Sequence, residues 1–283
     1  KKDQEKHLTW TNRRKMQHPS NDGATVAAAA ANKEDNNKED NNKEDNNKAQ
    51  WALVVHSHAD QHVDRLTLPF RLFNVRGNTI KIHQEHKSDG SGGTCIGYGA
   101  AVYPSSIVMA HYLEHHGRLC NTTTLLEVGG GHGFSGIAAA VCGVRSVVTT
   151  DGDDISIQLT EKNIVENNVS TNCHATKLLW GNRDHEDIVM GIFGNRKPDI
   201  IIGSDVTACP YADALPKLME TLLYLSGPET TIILSFKSRN VDEESFWQKA
   251  ATIFNISNRD RVIHPDFVND SSLHLSILRR KKL

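Results

Sequence analysis

Across residues 122–283, short apolar runs alternate with longer segments whose apolar residues recur at helical spacing. The short runs are continuously apolar, which is typical of strands that are buried on both faces of a sheet. Strands alternating with helices predict an α/β domain with a mostly parallel, doubly wound sheet covered by helices on both sides. The pattern assigns strands to residues 125–128, 146–150, 199–203, 230–236 and 273–278, and helices to residues 136–141, 155–168, 214–225 and 243–254.

Two regions of different character precede this domain. Residues 1–50 are polar and end in three copies of the sequence Lys-Glu-Asp-Asn-Asn, so we expect a disordered tail with little to bury. Residues 51–121 are predicted to form an extension that packs on the α/β domain. Within it, apolar and polar residues alternate around a Gly-Asn pair over 70–82, which indicates a β-hairpin, and helical spacing follows over 105–116.

The composition limits the kinds of partner and the location. The formal net charge is −2 and no dense basic face is evident, so we expect no nucleic acid as a partner. The longest apolar runs are too short to cross a bilayer, so we expect no membrane partner. The five cysteines are scattered without a Cys-x-x-Cys pair, as in intracellular proteins with reduced thiols. We expect a monomer in the cytoplasm, with the nucleus as a second location.

The first predicted strand of the domain ends in a glycine-rich turn, EVGGGHGFSG at residues 127–136. In sheets of this kind, ligands bind at the carboxyl ends of the strands. Gly129, Gly131 and Gly133 permit positive φ angles and let the backbone approach a ligand closely. The following helix offers free N–H groups at its start. The turn therefore predicts a nucleotide-type site, without saying which nucleotide binds.

The residues around the turn distinguish two nucleotide classes. A nicotinamide dehydrogenase would use Gly-x-Gly-x-x-Gly, which fails when counted from Gly129 but is met when counted from Gly131. Glu127 precedes the turn, and a carboxylate there would repel a pyrophosphate. The same carboxylate would suit the sulfonium and ammonium of S-adenosylmethionine. We therefore favour S-adenosylmethionine and keep the dehydrogenase as an alternative.

Acidic residues follow two further strands. Asp151 comes about 20 residues after the first glycine of the turn, where an acid can accept hydrogen bonds from ribose hydroxyls. The alternative for Asp151 is a cap on the following helix. Asp205 comes where the strand at 199–203 stops, and it could hold an ammonium group of the cofactor or of a target amine. Its alternative is a loop turn or cap.

With these residues in view, residues 70–283 resemble the seven-strand protein-lysine methyltransferases related to methyltransferase-like protein 21, also called methyltransferase family 16. Four segments carry the resemblance: 99–106 (GAAVYPSS), 126–137 (LEVGGGHGFSGI), 178–181 (LLWG) and 204–206 (SDV). The resemblance implies a class I, Rossmann-like sheet in the order 3-2-1-4-5-7-6 with the last strand antiparallel. It also implies S-adenosylmethionine as methyl donor and a protein lysine as acceptor, with Trp180 against the adenine and Tyr103 where the family usually has Trp.

One departure from the family pattern concerns the acceptor. The family's D-x-x-Y motif would place an aromatic residue three positions after Asp205, and this chain has Ala208. Tyr211 lies three positions further on and could either supply the ring or pack in the ordinary way. The acceptor therefore stays open between a protein lysine, which we favour, and an arginine or small molecule. A non-catalytic module that binds S-adenosylmethionine is a further alternative.

The mechanism that we predict needs no dedicated base. We expect the target lysine to lose its proton to solvent while Asp205 orients the amine. Three nearby histidines, His56, His58 and His62, lack the partners of a zinc motif, so we predict no metal site. The predicted cofactor-binding residues are Tyr103, Glu127, Gly129, Gly131, Gly133, Asp151, Gly152, Trp180 and Ser204, and the predicted catalytic residues are Asp205 and Tyr211.

Overall fold

A computed structural model describes residues 65–85, 97–115, 119–207, 214–238, 242–258, 264–267 and 269–282. The predicted tail at 1–50, the three histidines at 56–62, Ala208 and Tyr211 lie outside these residues. No helix among the described residues is both long enough and apolar enough to cross a membrane.

A seven-stranded sheet forms the centre of the fold. Its strands are β3 (Thr124–Glu127), β4 (Ser146–Asp151), β5 (Cys173–Lys177), β6 (Ile200–Ser204), β7 (Thr231–Lys237), β8 (Phe254–Asn258) and β9 (Leu273–Arg280). They lie in the order β5-β4-β3-β6-β7-β9-β8, and β9 is antiparallel to both neighbours while the other pairs are parallel. Counted within this sheet, the order is 3-2-1-4-5-7-6, which confirms the predicted fold.

Helices cover both faces of the sheet, as the continuously apolar strands predict. They are α1 (Pro104–His115), α2 (Phe134–Val141), α3 (Asp154–Glu166), α4 (Arg183–Ile192), α5 (Ala214–Leu225) and α6 (Asp242–Ile253). Because successive side chains of a strand point to opposite faces, Leu125 packs in the layer under α1–α3 and Leu126 in the layer under α4–α6. The apolar runs therefore serve two cores at once.

Three elements are absent from the strand and helix assignments made from the pattern. The strands β5 and β8 form the two edges of the sheet, and most of their residues are partly buried or exposed. An edge strand needs fewer apolar residues, so it gives a weaker signal. Helix α4 is rich in charged residues, and it buries a narrow face through Val189 and Met190. The predicted helix at 243–254 ends one residue earlier, because Phe254 begins β8.

The predicted hairpin is present as β1 (Phe70–Val75) and β2 (Asn78–His83). Its turn is formed by Arg76 and Gly77, whose φ angles of 50° and 75° suit a tight hairpin. The hairpin packs on the layer under α1–α3, where the Phe73 and Phe134 rings stack with centroids 4.2 Å apart. Since Phe134 begins α2, directly after the glycine-rich turn, the described part of the extension reaches the candidate site.

Candidate active site

The glycine-rich turn connects β3 to α2 with a backbone that glycine alone adopts readily. The φ angles of Gly129, Gly131 and Gly133 are 64°, 56° and 77°. A Cβ atom on Gly131 would lie 2.7 Å from the Cα atom of Gly99, so two backbones meet there without a side chain between them. The Gly130 N–H donates to the Thr150 carbonyl at 2.7 Å, which ties the turn to β4.

Glu127 supports this turn from inside the fold. Its carboxylate oxygen Oε2 accepts hydrogen bonds from the Thr149 hydroxyl at 2.5 Å and from the Gly136 N–H at 3.1 Å. The side chain is 1% exposed, and this burial raises the pKa of Glu127 to about 7 although the hydrogen bonds lower it. The sequence predicts that the Glu127 carboxylate faces the cofactor, whereas in the structure it is buried and bonded to the turn. Glu127 contacts the turn itself, and its effect on a cofactor would be through the shape and charge of the turn.

Helix α3 holds the turn from behind. The Thr160 hydroxyl donates to the Gly131 carbonyl at 2.5 Å, and the Asn163 amide donates to the His132 carbonyl at 2.9 Å. Asn163 also exchanges hydrogen bonds with the backbone of His83, so the same side chain joins the hairpin to the turn. Burial lowers the pKa of His132 to about 4, against a hydrogen bond to the Ala101 backbone that raises it. His132 is therefore a neutral structural residue at pH 7.

Asp151 lies beside the turn, at the end of β4. Its two carboxylate oxygens accept hydrogen bonds from the Gly131 N–H and the Asp153 N–H, each at 3.0 Å. The cap of α3 is Asp153, whose side chain accepts from the Ser156 N–H, so the capping alternative for Asp151 is wrong. Burial raises the pKa of Asp151. Gly152 follows in the chain, and a Cβ atom there would lie 3.4 Å from Leu179 Cδ1.

Trp180 reaches the same turn from the loop after β5. A Cβ atom on Gly129 would lie 3.3 Å from Trp180 Cζ2, so the indole ring borders the first glycine. The ring is partly buried against the core layer under α4–α6. The structure thus brings Gly129, Gly131, Asp151 and Trp180 to one end of the sheet, as the strand-end rule predicts.

The end of β6 carries Ser204 and Asp205 on the other side of the turn. The Ser204 hydroxyl lies 3.3 Å from that of Ser135 in α2 and 3.2 Å from that of Ser235 in β7. Asp205 has a φ angle of 58°, and its Oδ1 accepts a hydrogen bond from the Lys237 N–H at 2.8 Å. The Asp205 carboxylate is therefore already part of the fold, besides any part it has in catalysis.

Tyr103 stands directly before α1. Its carbonyl accepts from the Ser106 N–H at 3.1 Å, and the side chain is partly buried. The Ser235 hydroxyl donates to the Ser105 carbonyl at 2.8 Å, which links the start of α1 to the end of β7. The segment of Tyr103 is thereby brought to the edge of the site, near Ser204. Tyr211 lies outside the described residues.

The donor side of this site fits a nucleoside cofactor that carries a positive charge. The glycines let the turn pack against its neighbours without side chains between them, and a strand-end carboxylate and an indole ring border the turn. A carboxylate accepts hydrogen bonds from ribose hydroxyls, and an indole face stacks against a purine. The Asp151 carboxylate beside the turn favours a sulfonium over a pyrophosphate.

Comparison with known proteins identifies the family. The sequence model of a family described as lysine methyltransferase matches residues 77–252, which is more than half of the chain. The chain belongs to the lysine methyltransferase family. Membership confirms the predicted family, and it confirms that this lysine methyltransferase is an S-adenosylmethionine-dependent enzyme.

Individual relatives and solved structures are similar to this chain to different extents. The chain is 25% identical over 213 residues to "Protein N-lysine methyltransferase METTL21A" of Xenopus tropicalis, covering 74% of this chain and 88% of the relative. It is 28% identical over 196 residues to "Protein-lysine methyltransferase METTL21E" of Mus musculus, covering 67% and 73%. Among solved structures, the O-methyltransferase from Bacillus cereus in complex with SAH is 16% identical, with a TM-score of 0.42 over 63% of this chain and 82% of that chain.

Several residues that build the candidate site are missed by sequence reasoning. They are the hydroxyl and amide side chains behind the turn and behind the Trp180 loop: Thr149, Thr150, Thr160, Asn163 and Thr221. Each is a polar residue on a mostly apolar strand or helix face, and such a residue needs a partner when it is buried. The sequence shows such polar residues within apolar segments, but it does not show which groups they bond to.

Proposed function

We propose that this chain transfers the methyl group of S-adenosylmethionine to the side-chain amine of a lysine in another protein. The observation that carries the proposal is the convergence of the glycine-rich turn, Asp151 and Trp180 at one end of the sheet. Family membership and relatives named as protein-lysine methyltransferases support the lysine acceptor.

The residues of the donor side divide the binding work. We infer that the backbone of Gly129 and Gly131 lies against the methionine part of the cofactor, because no side chain intervenes. Asp151 accepts hydrogen bonds from the ribose hydroxyls, with Gly152 beside it, and Trp180 lies along the adenine. Tyr103 and Ser204 line the edge toward the acceptor.

The acceptor side must present a neutral amine. When bound, S-adenosylmethionine supplies a methyl group made electrophilic by its sulfonium. A lysine amine has a pKa of about 10.4 in water, so it must lose a proton before it can attack. Removal from water and a nearby positive charge both lower that pKa. Asp205 orients the amine, Tyr211 contributes an aromatic wall, and the proton leaves to solvent. Alignment of amine, methyl and sulfur is the main contribution of the protein.

The location and assembly stay predictions. We propose a cytoplasmic monomer, with the nucleus as a second location, that meets its substrate as a protein rather than as a nucleic acid or a membrane. The scattered cysteines and the net charge of −2 support this part of the proposal.

A labelling experiment tests the acceptor. The full chain is incubated with S-adenosylmethionine carrying a labelled methyl group and with cell extract, and the labelled proteins are analysed by mass spectrometry. Label on lysine is the expected result, and Gly131→Ala serves as the control that should transfer none. Label on arginine or on a small molecule would replace the lysine assignment. Binding of the cofactor without any methyl transfer would favour the alternative that the chain is a non-catalytic module.

A further inference from the structure

The loop that carries Trp180 is held from behind by a buried chain of hydrogen bonds. The Gly181 N–H donates to the Thr221 hydroxyl at 2.8 Å, and that hydroxyl donates to Glu186 Oε1 at 2.7 Å. Thr221 lies on α5 and is 0% exposed, while Glu186 lies on α4 and is 1% exposed. The Thr221 hydroxyl therefore uses its proton and a lone pair at once, joining two helices to the loop.

The Glu186 carboxylate at the end of this series of hydrogen bonds has an ion-pair partner. Glu186 Oε2 lies 3.0 Å from Arg183 Nη1, one helical turn away on α4. The Arg183 guanidinium in turn lies 3.5 Å above the centre of the Tyr224 ring. A buried carboxylate with an ion pair and a hydroxyl donor has a defined orientation, so it fixes the direction of the Thr221 hydroxyl.

The loop has little freedom between this support and the glycine-rich turn. Gly181 has a φ angle of 75°, and a Cβ atom there would lie 3.3 Å from Lys217 on α5. On the other side, Trp180 Cζ2 lies 3.3 Å from the Cβ position of Gly129. A second hydrogen bond, from the Leu179 N–H to His185 Nδ1 at 3.1 Å, holds the residue before Trp180. The indole ring is thus placed by the loop backbone, and the loop backbone by α4 and α5.

We propose that Thr221 and Glu186 are positioning residues of the cofactor site: they set the distance between the Trp180 ring and the glycine-rich turn, and thereby the affinity for the adenosyl part of the cofactor. This inference rests on the proposed function, since it takes Trp180 to be the adenine-stacking residue. Neither residue touches the space in front of the turn, so their effect is on binding rather than on methyl transfer.

The test compares three threonine variants of the full chain. Thr221→Val keeps the shape but removes the hydroxyl, leaving the Gly181 N–H and the Glu186 carboxylate without that partner. Thr221→Ser restores the hydroxyl. Thr230→Val is the matched control, because the Thr230 hydroxyl also accepts from a glycine N–H (Gly227, 2.9 Å) and donates to a buried oxygen (the Pro198 carbonyl, 2.8 Å). Thr230 is 3% exposed and lies at the opposite end of β7 from the site.

Calorimetry with S-adenosylhomocysteine, the demethylated product of the donor, measures the effect. We expect Thr221→Val to weaken binding about tenfold, because the loop that carries Trp180 is then no longer fixed before the ligand binds, and Thr221→Ser to restore most of the affinity. Thr230→Val should lower the melting temperature about as much as Thr221→Val does, because each loses one buried hydroxyl. It should leave the affinity within about twofold of wild type. In methyl transfer, Thr221→Val should raise KM for S-adenosylmethionine while kcat changes little.

Each other outcome has a defined meaning. If the wild-type chain does not bind S-adenosylhomocysteine, the proposed function fails. If the wild type binds and Thr221→Val binds equally well, the inference is overturned while the function stands. Equal weakening by Thr230→Val would also overturn it, because the effect would be general destabilisation. Should Thr221→Val not fold, Glu186→Gln takes its place: it keeps an acceptor for Thr221 and loses the charge, and unchanged affinity in that variant would overturn the inference.

Discussion

The donor side and the acceptor side of the site are built in different ways. On the donor side, the turn between β3 and α2 is held from three directions, by Glu127 below, Thr160 behind and Asp151 beside it. On the acceptor side, Asp205 leaves β6 in a left-handed conformation and is held through its carboxylate by the Lys237 N–H. The turn is thus fixed by backbone shape and three supports, whereas the described part of the acceptor side depends on one side chain, so we expect substitutions to affect the two sides differently.

The largest expected effect on cofactor affinity comes from adding a side chain to the glycine-rich turn. Gly131→Ala would place a Cβ atom 2.7 Å from the Gly99 backbone and force alanine into a φ angle of 56°. We expect affinity for S-adenosylhomocysteine to fall about 30-fold or more, because the strained φ angle and the displacement of the turn each cost about 1 kcal/mol or more. Gly194→Ala is the control, since Gly194 has a φ angle of 66° but nothing within 4 Å of its Cβ position. Similar losses in both variants would mean that backbone strain alone explains the effect.

The acceptor side should respond in turnover instead of affinity. Asp205→Asn keeps an oxygen that can accept from the Lys237 N–H, and Asn tolerates the left-handed conformation, but the charge is lost. We expect kcat on the labelled protein substrate to fall about 100-fold, as misplaced acceptors commonly cost, while affinity for S-adenosylhomocysteine stays within about twofold. A loss of affinity as large as the loss of turnover would assign Asp205 to the cofactor and remove the division between the two sides.

A smaller effect is expected at the ribose. Asp151→Asn replaces one of two accepting oxygens by an amide that cannot accept from the Gly131 or Asp153 N–H. We expect about tenfold weaker binding of S-adenosylhomocysteine, because hydrogen bonds to charged groups contribute about 1.5–3 kcal/mol. The control is Asp153→Asn, in which Asn still caps α3 and affinity should not change. If the two variants bind alike, Asp151 supports the turn without contacting the ribose.

The patterns of the sequence are sufficient to predict a mostly parallel sheet and a glycine-rich turn at a strand end, because these are local in the chain, while the strand order comes from the family resemblance. The continuous apolar runs predict the strands. Glycine at 129, 131 and 133 predicts a turn with positive φ angles, which the structure has. The supports behind the turn are not predictable in this way. Thr160 and Asn163 look like ordinary helix residues until α3 is seen packed behind the turn, and Thr221 is 40 residues from the Gly181 N–H that it binds. The position of Glu127 at the end of β3 follows from the sequence, but the direction of its side chain depends on Thr149 in the next strand.

The last prediction concerns pH, and it tests whether Glu127 supports the turn as a buried acid. Its pKa is raised by burial from 4.5 to about 7, so the folded state holds a proton that the unfolded state has released between those values. Its contribution to stability is therefore full below about pH 4.5 and is lost as the pH rises to about 7. His132 acts in the opposite sense: its pKa is lowered from 6.5 to about 4, so its contribution is present above 6.5 and is lost as the pH falls.

Glu127→Gln removes one of these two titrations and leaves the other. Relative to wild type, the variant should gain free energy of unfolding between pH 4.5 and 7, on the order of 3 kcal/mol in all, because Gln does not become charged. Any fixed cost of replacing the carboxylate shifts the whole curve without changing this slope, and the His132 contribution cancels in the difference. Urea unfolding of both chains at several pH values measures it. Parallel curves would show that Glu127 is charged throughout, and the turn would then be held by an ionised carboxylate even without a cofactor.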